Sequence, residues 1–328
     1  MGASGCEFIA RITVLGWLCL GASLNTWSAQ GAPCGQQAEL ALQVLGSGGP
    51  ELDDGRASSS YLIWWQGRSV LMVDAGSGSS LRFEQAGASI NDLDAVLFTH
   101  FHTDHSSDFA ALVKGSYFSG RRKALPVYGP AGNARMPAAS AFIAGLIGEQ
   151  GIYPYLSDYL AADADQQRAA QGFLIKAVDV ALEPIELTRV ELTDGIEIAA
   201  IPVHHGPLPA LAWRVDIAGS GLVFSGDTSN RGNALSRLSQ GADVLVAHNA
   251  VPEGASGAAR QLHMPPDEIG RVAAQSGVKQ VVLSHRMQRT LGRTSETLGV
   301  IREFYAGDVA FADDLDCYPL PSSKHASD

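Results

Sequence analysis

The chain has 328 residues, 46% hydrophobic and 17% charged, which is enough to bury one large core and excludes a disordered or fibrous protein. Lysine and arginine number 23 against 34 acidic residues, a formal net charge of −11, so the surface as a whole repels polyanions and disfavours nucleic acid as a partner. With 36 glycines and 15 prolines, many tight turns between short elements are expected, as in a layered α/β architecture.

At the start of the chain a single basic residue, Arg11, precedes an apolar run from Ile12 to Leu24, and small or polar residues follow through Ser28, Ala29 and Gly31. This is the layout of a secretory signal peptide over residues 1–30. The run is well short of the roughly twenty residues that cross a bilayer as a helix, so cleavage is expected rather than a stable membrane anchor. Small residues occupy both recognition positions for cleavage after Ser28 and after Gly31, which places the mature start between Ala29 and Ala32 and the protein in the periplasm or outside the cell. Cys6 and Cys19 fall in the leader. Cys34 and Cys317 remain, and an even pair in an oxidising compartment is expected to form a disulfide, with two free thiols as the alternative.

From Leu40 onward, short β-branched or aromatic runs alternate with Gly-rich turns: LALQVLGSGG, SYLIWW, SVLMVDAG and DAVLFTH. These read as strands of one sheet system. Ser106 to Phe118 has helical spacing, the triplet Arg121-Arg122-Lys123 reads as a solvated loop, and LPVYGP returns to strand. Residues 131–185 carry helix formers, Gly-Ile-Tyr-Pro and an alanine-rich polar stretch, which predicts an inserted helical segment or lid in a domain running over 31–328. The strand rhythm resumes with VELTDGIEIAAIPVHHG, ALAWRVDI, GLVFSGD and ADVLVAHNA. A helix over PPDEIGRVAAQSG, a strand KQVVLSH and a helix around Ser295 to Tyr305 follow. No short-period repeat is present, which argues against a solenoid.

The chemistry concentrates in His100-Phe101-His102-Thr103-Asp104-His105, directly after the apolar strand DAVLF. Alternate side chains of an extended backbone share a face, so His100 and His102 can point at one metal, while Asp104 and His105, past the bend, can point at a second. Three further strand ends deliver ligand-type residues to small-residue turns: His204-His205 after IPV, Asp227 after LVFSG, and His285 after VVLS.

VDAG at Val73 to Gly76, THFHTDH at Thr99 to His105, VHHGPLPALAWRV, FSGDT at Phe224 to Thr228 and LSH at Leu283 to His285 together resemble the metallo-β-lactamase superfamily, from about Leu40 to Phe311. YGP at Tyr128 to Pro130, and His263 followed by DEIGRVAAQSGVKQVVLSH, are similar to its ribonuclease Z-like and arylsulfatase-like branch. The resemblance implies a four-layer αββα sandwich holding two divalent metal ions, usually Zn²⁺, at one edge. It implies that His100, His102 and one of the 204–205 pair bind the first ion. His205 is favoured because it stands before Gly206-Pro207. Asp104, His105 and His285 would bind the second ion, and Asp227 would bridge both. Asp74 resembles a carboxylate that orients a ligand histidine. His263 is implied to approach the site, donating a proton to the leaving group or binding an oxyanion, with a structural histidine ahead of Pro265-Pro266 as the alternative. Ala247-His248-Asn249 departs from the branch, which commonly has an acidic residue there, and His248 is expected to support the site from behind.

Two such cations lower the pKa of a bridging water so that hydroxide can attack an electrophilic centre near neutral pH. The expectation is an exported hydrolase of a small-molecule ester, with phosphodiesters and aryl sulfate esters ahead of lactams and lactones. From a different class, the alternative is a metal-binding module that kept the fold without turnover.

Overall fold

The architecture was analysed in a computed structural model, which describes residues 33–160 and 173–321. The expected leader over 1–30, with Cys6, Cys19 and both cleavage points, lies outside the described residues, as do residues 161–172 of the expected insertion. Among the described residues no helix is long and apolar enough to cross a membrane.

A short helix α1 (Cys34–Gln37) leads into β1 (Leu40–Gly46), β2 (Ser60–Trp65), β3 (Arg68–Val73), α2 (Ser79–Gln85), β4 (Ala95–Leu97), α3 (Thr103–Ser106), α4 (Phe109–Ser116) and β5 (Leu125–Pro130). Next come α5 (Ala139–Ile147), a 3₁₀ turn over Pro154–Leu160, and β6 (Ile175–Val180). The second half runs β7 (Thr188–Glu191), β8 (Glu197–Pro202), β9 (Leu211–Ile217), β10 (Ser220–Phe224), α6 (Ala234–Leu238) and β11 (Val244–His248). It closes with α7 (Gly257–Leu262), α8 (Pro266–Ser276), β12 (Gln280–Ser284), α9 (Thr294–Arg302), β13 (Asp308–Phe311) and β14 (Cys317–Leu320). Within 131–185 the described residues form α5, the 3₁₀ turn and β6, and β6 is an edge strand parallel to β5 with Leu125 opposite Ile175. In IKAVDV only Ile175 and Val180 are buried, so the edge strand carries no regular alternation to read.

The strands form two seven-stranded sheets, ordered β14-β1-β2-β3-β4-β5-β6 and β13-β12-β11-β10-β9-β8-β7. Leu40, Leu42, Val44, Ile63, Leu71 and Val73 of the first sheet pack against Ile198, Trp213, Val215, Phe224 and Val246 of the second, forming the central core. Opposite faces are covered too: Ala41, Leu62, Met72 and Val96 lie under Phe83, Phe109 and Ile143, and Val223, Leu245 and Val281 lie under Leu235, Ile269 and Ile301. Strands buried on both faces have no polar side, which is why LALQVL and SYLIWW read as nearly continuous apolar runs. This is the four-layer αββα sandwich. The last strand pairs antiparallel with the first, Gln43 opposite Cys317, and Cys317 is disulfide-bonded to Cys34 as expected.

Strands β3, β4 and β5 are mutually parallel, as are β10, β11 and β12. Their carboxyl ends, with that of β8, open at one edge of the sandwich, where hydrogen-bonding of the strands stops and loops carry the polar residues.

Candidate metal centre

Thr99 and His100 follow β4, and the backbone stays extended through His102 (φ −65°, ψ 153°) before turning into α3, which carries Asp104 and His105. The other sheet supplies His205 after β8, Asp227 after β10 and His285 after β12. All these side chains converge. His100 Nε2, His105 Nε2 and His205 Nε2 lie 3.8, 3.7 and 3.8 Å from Asp227 Oδ2, and His285 Nε2 lies 3.5 Å from Asp227 Oδ1 and 3.1 Å from Asp104 Oδ2. The rings of His100 and His102 are 4.7 Å apart, and those of His102 and His205 5.2 Å. Two donor sets result: His100, His102, His205 and Asp227, and around His105, Asp227 and His285 a second that includes His248.

The hydrogen bonds behind the rings fix which nitrogen faces inward. His105 Nδ1 donates to Asp74 Oδ2 at 2.8 Å, and Thr99 holds that carboxylate through its backbone N–H (2.7 Å) and hydroxyl (2.8 Å). Asp74 therefore orients the His105 ring, from a left-handed backbone (φ 57°) that turns the chain at the end of β3. His205 Nδ1 donates to the carbonyl of Leu262 at 3.0 Å. His204, by contrast, turns away and bonds Ser229 Oγ through Nδ1 at 2.8 Å, so of the 204–205 pair it is His205 that joins the cluster.

The inward Nε2 atoms of His100, His105 and His205 are buried and make no hydrogen bond among the described residues. Buried polar atoms are rarely left without a partner, because each costs on the order of 1–3 kcal/mol. Three such lone pairs around one carboxylate fit a divalent cation, which accepts imidazole nitrogen and carboxylate oxygen together.

His248 ends β11 beside these groups, with both ring nitrogens engaged: Nδ1 is 2.8 Å from Asp227 Oδ1 and Nε2 is 3.0 Å from the Tyr61 hydroxyl, which also bonds Ser284 Oγ at 2.9 Å. Asp104 Oδ2 faces His285 and, at 3.6 Å, His105. Asp104, expected as a ligand of the second ion, thus stands beside that donor set through His285 rather than within it, and His248 holds Asp227 from behind. Sequence reading missed Tyr61, which sits in an apolar run indistinguishable from core. It also missed the Gly48-Gly49 turn, where a Cβ at Gly49 would come within 2.8 Å of His285 Cε1. The Gly-rich turn after LALQVL was the available signal.

Electrostatics follow from this packing. Burial opposes charge on His105, but Asp104, Asp74 and Asp227 outweigh it and hold its pKa well above the ordinary value. His285 is raised as well, with burial again overcome by Asp227 and Asp104. Burial pushes His100, His102 and His205 down, and His248 down to about 4. Asp227 stays ionised: despite burial, His285, His263 and His105 hold it well below the carboxylate range.

His263 caps α7 and leans over the cluster, its ring 5.6 Å from that of His205 and 5.7 Å from that of His285. Its buried Nδ1 makes no hydrogen bond among the described residues and lies 3.7 Å from Asp227 Oδ1. Burial lowers its pKa to about 3, so at neutral pH the ring is uncharged and offers one N–H and one lone pair.

A sandwich of this topology with histidines and aspartates at these strand ends defines a class, and the family model described as "Metallo-beta-lactamase superfamily" matches residues 53–270. The chain belongs to that superfamily and is a metal-dependent hydrolase. Among curated relatives, ribonuclease Z of Mycolicibacterium paratuberculosis is 28% identical over 291 residues, 84% of this chain and 96% of the relative. Two solved structures share the fold. The short form of human tRNase Z has a TM-score of 0.64 at 16% identity, covering 86% of this chain and 99% of the other. Zn²⁺-bound PqqB of Methylobacterium extorquens has a TM-score of 0.61 at 14% identity, covering 85% and 100%.

Proposed function

We propose that this protein is an exported phosphodiesterase that works with two zinc ions. The reading is carried by the buried, unpartnered Nε2 atoms of His100, His105 and His205 around Asp227. His100, His102 and His205 would hold one ion, Asp104, His105 and His285 the other, and Asp227 both. When bound, the ions supply an activated water and Lewis acidity toward a phosphoryl oxygen. Asp74 and the Leu262 carbonyl keep the lone pairs of His105 and His205 turned inward, and His248 fixes the rotamer of Asp227. His263 donates its N–H to the leaving oxygen from above the cluster.

Zinc is supported by the imidazole-rich donor sets and by the Zn²⁺ bound in PqqB, and phosphodiester chemistry by the relatives named ribonuclease Z. Those relatives also remove the net charge of −11 as a reason to exclude RNA, so the expectation that nucleic acid is disfavoured does not stand on charge alone. Export is supported by the leader-like first thirty residues and by the Cys34–Cys317 disulfide, a bond typical of oxidising compartments.

The test is a zinc-loaded preparation assayed on bis(4-nitrophenyl) phosphate, a precursor RNA, an aryl sulfate, a lactone and a cephalosporin. Turnover of phosphodiesters above the others is expected. Turnover confined to the sulfate, lactone or cephalosporin would refute the phosphodiester reading. N-terminal sequencing of exported protein should begin between Ala29 and Ala32, and intact Met1 on cytoplasmic protein would refute export.

A further inference from the structure

Beside the centre lies a polar cleft of about 350 Å³, walled by Arg231 and Arg260 and lined by Ser229, Asn230, Gln261 and Glu268. Its two walls are the chain segments that adjoin the metal centre. Arg231 stands in the loop that leaves Asp227. Arg260 stands in α7, whose last residue, Leu262, holds His205 by its carbonyl and precedes His263. Ser229 ties the two walls together, its hydroxyl on His204, the neighbour of His205, and its carbonyl accepting from Arg260 Nη1 at 3.5 Å.

Arg56, Arg82, Arg189, Arg214, Arg271 and Arg293 each pair with a carboxylate, as an acidic chain readily allows. Arg231 and Arg260 pair with none among the described residues. The carboxylate in the cleft, Glu268, is engaged by Asn230 Nδ2 at 2.8 Å. Two guanidiniums therefore face the cleft against one carboxylate already in use. Arg231 also lines a second, more apolar cleft of about 410 Å³ with His204, Gly206 and Leu208, so its charge sits between two recesses.

We propose that Arg231 and Arg260 form a subsite for a second phosphate group of the substrate, one bond system away from the phosphodiester that is cut. Guanidinium forks match phosphate oxygens in geometry and charge, and binding here places a dianionic group beside the reacting one without using the metal ligands. This local pair accepts a compact, doubly charged phosphate. The inference rests on the phosphodiester reading above.

The experiment compares thymidine 5′-(4-nitrophenyl phosphate) with the same compound bearing a 3′-phosphate, on zinc-loaded wild type and on the double variant Arg231→Gln, Arg260→Gln. The 3′-phosphate should lower KM roughly tenfold in wild type, the scale of a charged hydrogen-bonded pair, and that advantage should vanish in the variant. Equal KM values in wild type, or an advantage kept by the variant, would overturn the subsite. If neither compound is turned over, the phosphodiester reading fails while the cleft is still decided, by calorimetric binding of inorganic pyrophosphate in the presence of chelator. Binding lost in the variant supports the subsite, and binding that is absent or equal in both proteins overturns it.

Discussion

His248 Nδ1 lies 2.8 Å from Asp227 Oδ1, and the pair is closed from behind by the Tyr61 hydroxyl on His248 Nε2. Because Asp227 is ionised and His248 is uncharged at neutral pH, Nδ1 carries the proton and donates it to the carboxylate, while Nε2 accepts from Tyr61. The chain Tyr61–His248–Asp227 joins the first sheet to the second through three buried side chains. Removing the middle member by His248→Ala should weaken metal binding about 10–100-fold, the usual scale for a group that orients a ligand. Competition with a chromogenic chelator measures it. Tyr61→Phe should produce a smaller loss, and unchanged affinity in both variants would show that Asp227 needs no support.

Asp227 and His100 are expected to differ in what their loss removes. Asp227→Ala should lower occupancy of both metal positions, since Asp227 reaches the donor groups of each, whereas His100→Ala should first empty one. Elemental analysis after dialysis against limiting zinc decides it. A single ion per chain, unaffected by Asp227→Ala, would contradict a shared carboxylate.

His263 contacts the cluster without belonging to either donor set. His263→Ala should keep metal content and lower kcat by about 10²–10⁴-fold, with a smaller loss for acidic leaving groups such as nitrophenolate. The measurement is kcat against leaving-group pKa for both proteins. Parallel lines would return His263 to a structural role.

In protein stripped of metal, stability should peak near pH 6.5. The pKa values of His100, His102, His205, His248 and His263 are depressed by folding, so below pH 6.5 the unfolded chain binds more protons and stability falls. His248 alone, moving from 6.5 to about 4, corresponds to roughly 3 kcal/mol lost across that window. His105 and His285 are raised, so their contribution is complete below pH 6.5 and is lost as pH rises through their folded values. Thermal melts from pH 5 to 9 in chelator test the curve, and a monotonic rise with pH would refute it. Zinc should flatten the alkaline side, because ligand imidazoles have already given up their protons.

Much of the centre was legible because its residues are chemically unusual and stand where apolar runs stop. His100 to His105, Asp227 and His285 each follow a strand, and Asp74 stands in the left-handed turn that ends β3. Tyr61 was not legible. It alternates with Leu62 and Ile63 in a strand buried on both faces, and its partner is 187 residues away. Arg231 and Arg260 look like ordinary surface residues until the folding of α7 over the Asp227 loop brings them to one cleft. β6 and β14 were hidden for the same reason, since edge pairing depends on a neighbour remote in sequence rather than on local pattern.

The bond between Cys34 and Cys317, 283 residues apart, makes the described fold a covalent ring with both tails leaving from one seam. A pulling force applied to the two tails peels only Tyr318 to Leu320 of β14 from β1, then runs through the sulfur bridge and bypasses the rest of both sheets. The oxidised protein therefore has almost no mechanical extension to give, however weak its non-covalent core. Reduction lets the same force pass beyond Gln43 and Cys317 into the interior of the fold, and the whole chain becomes available to unravel.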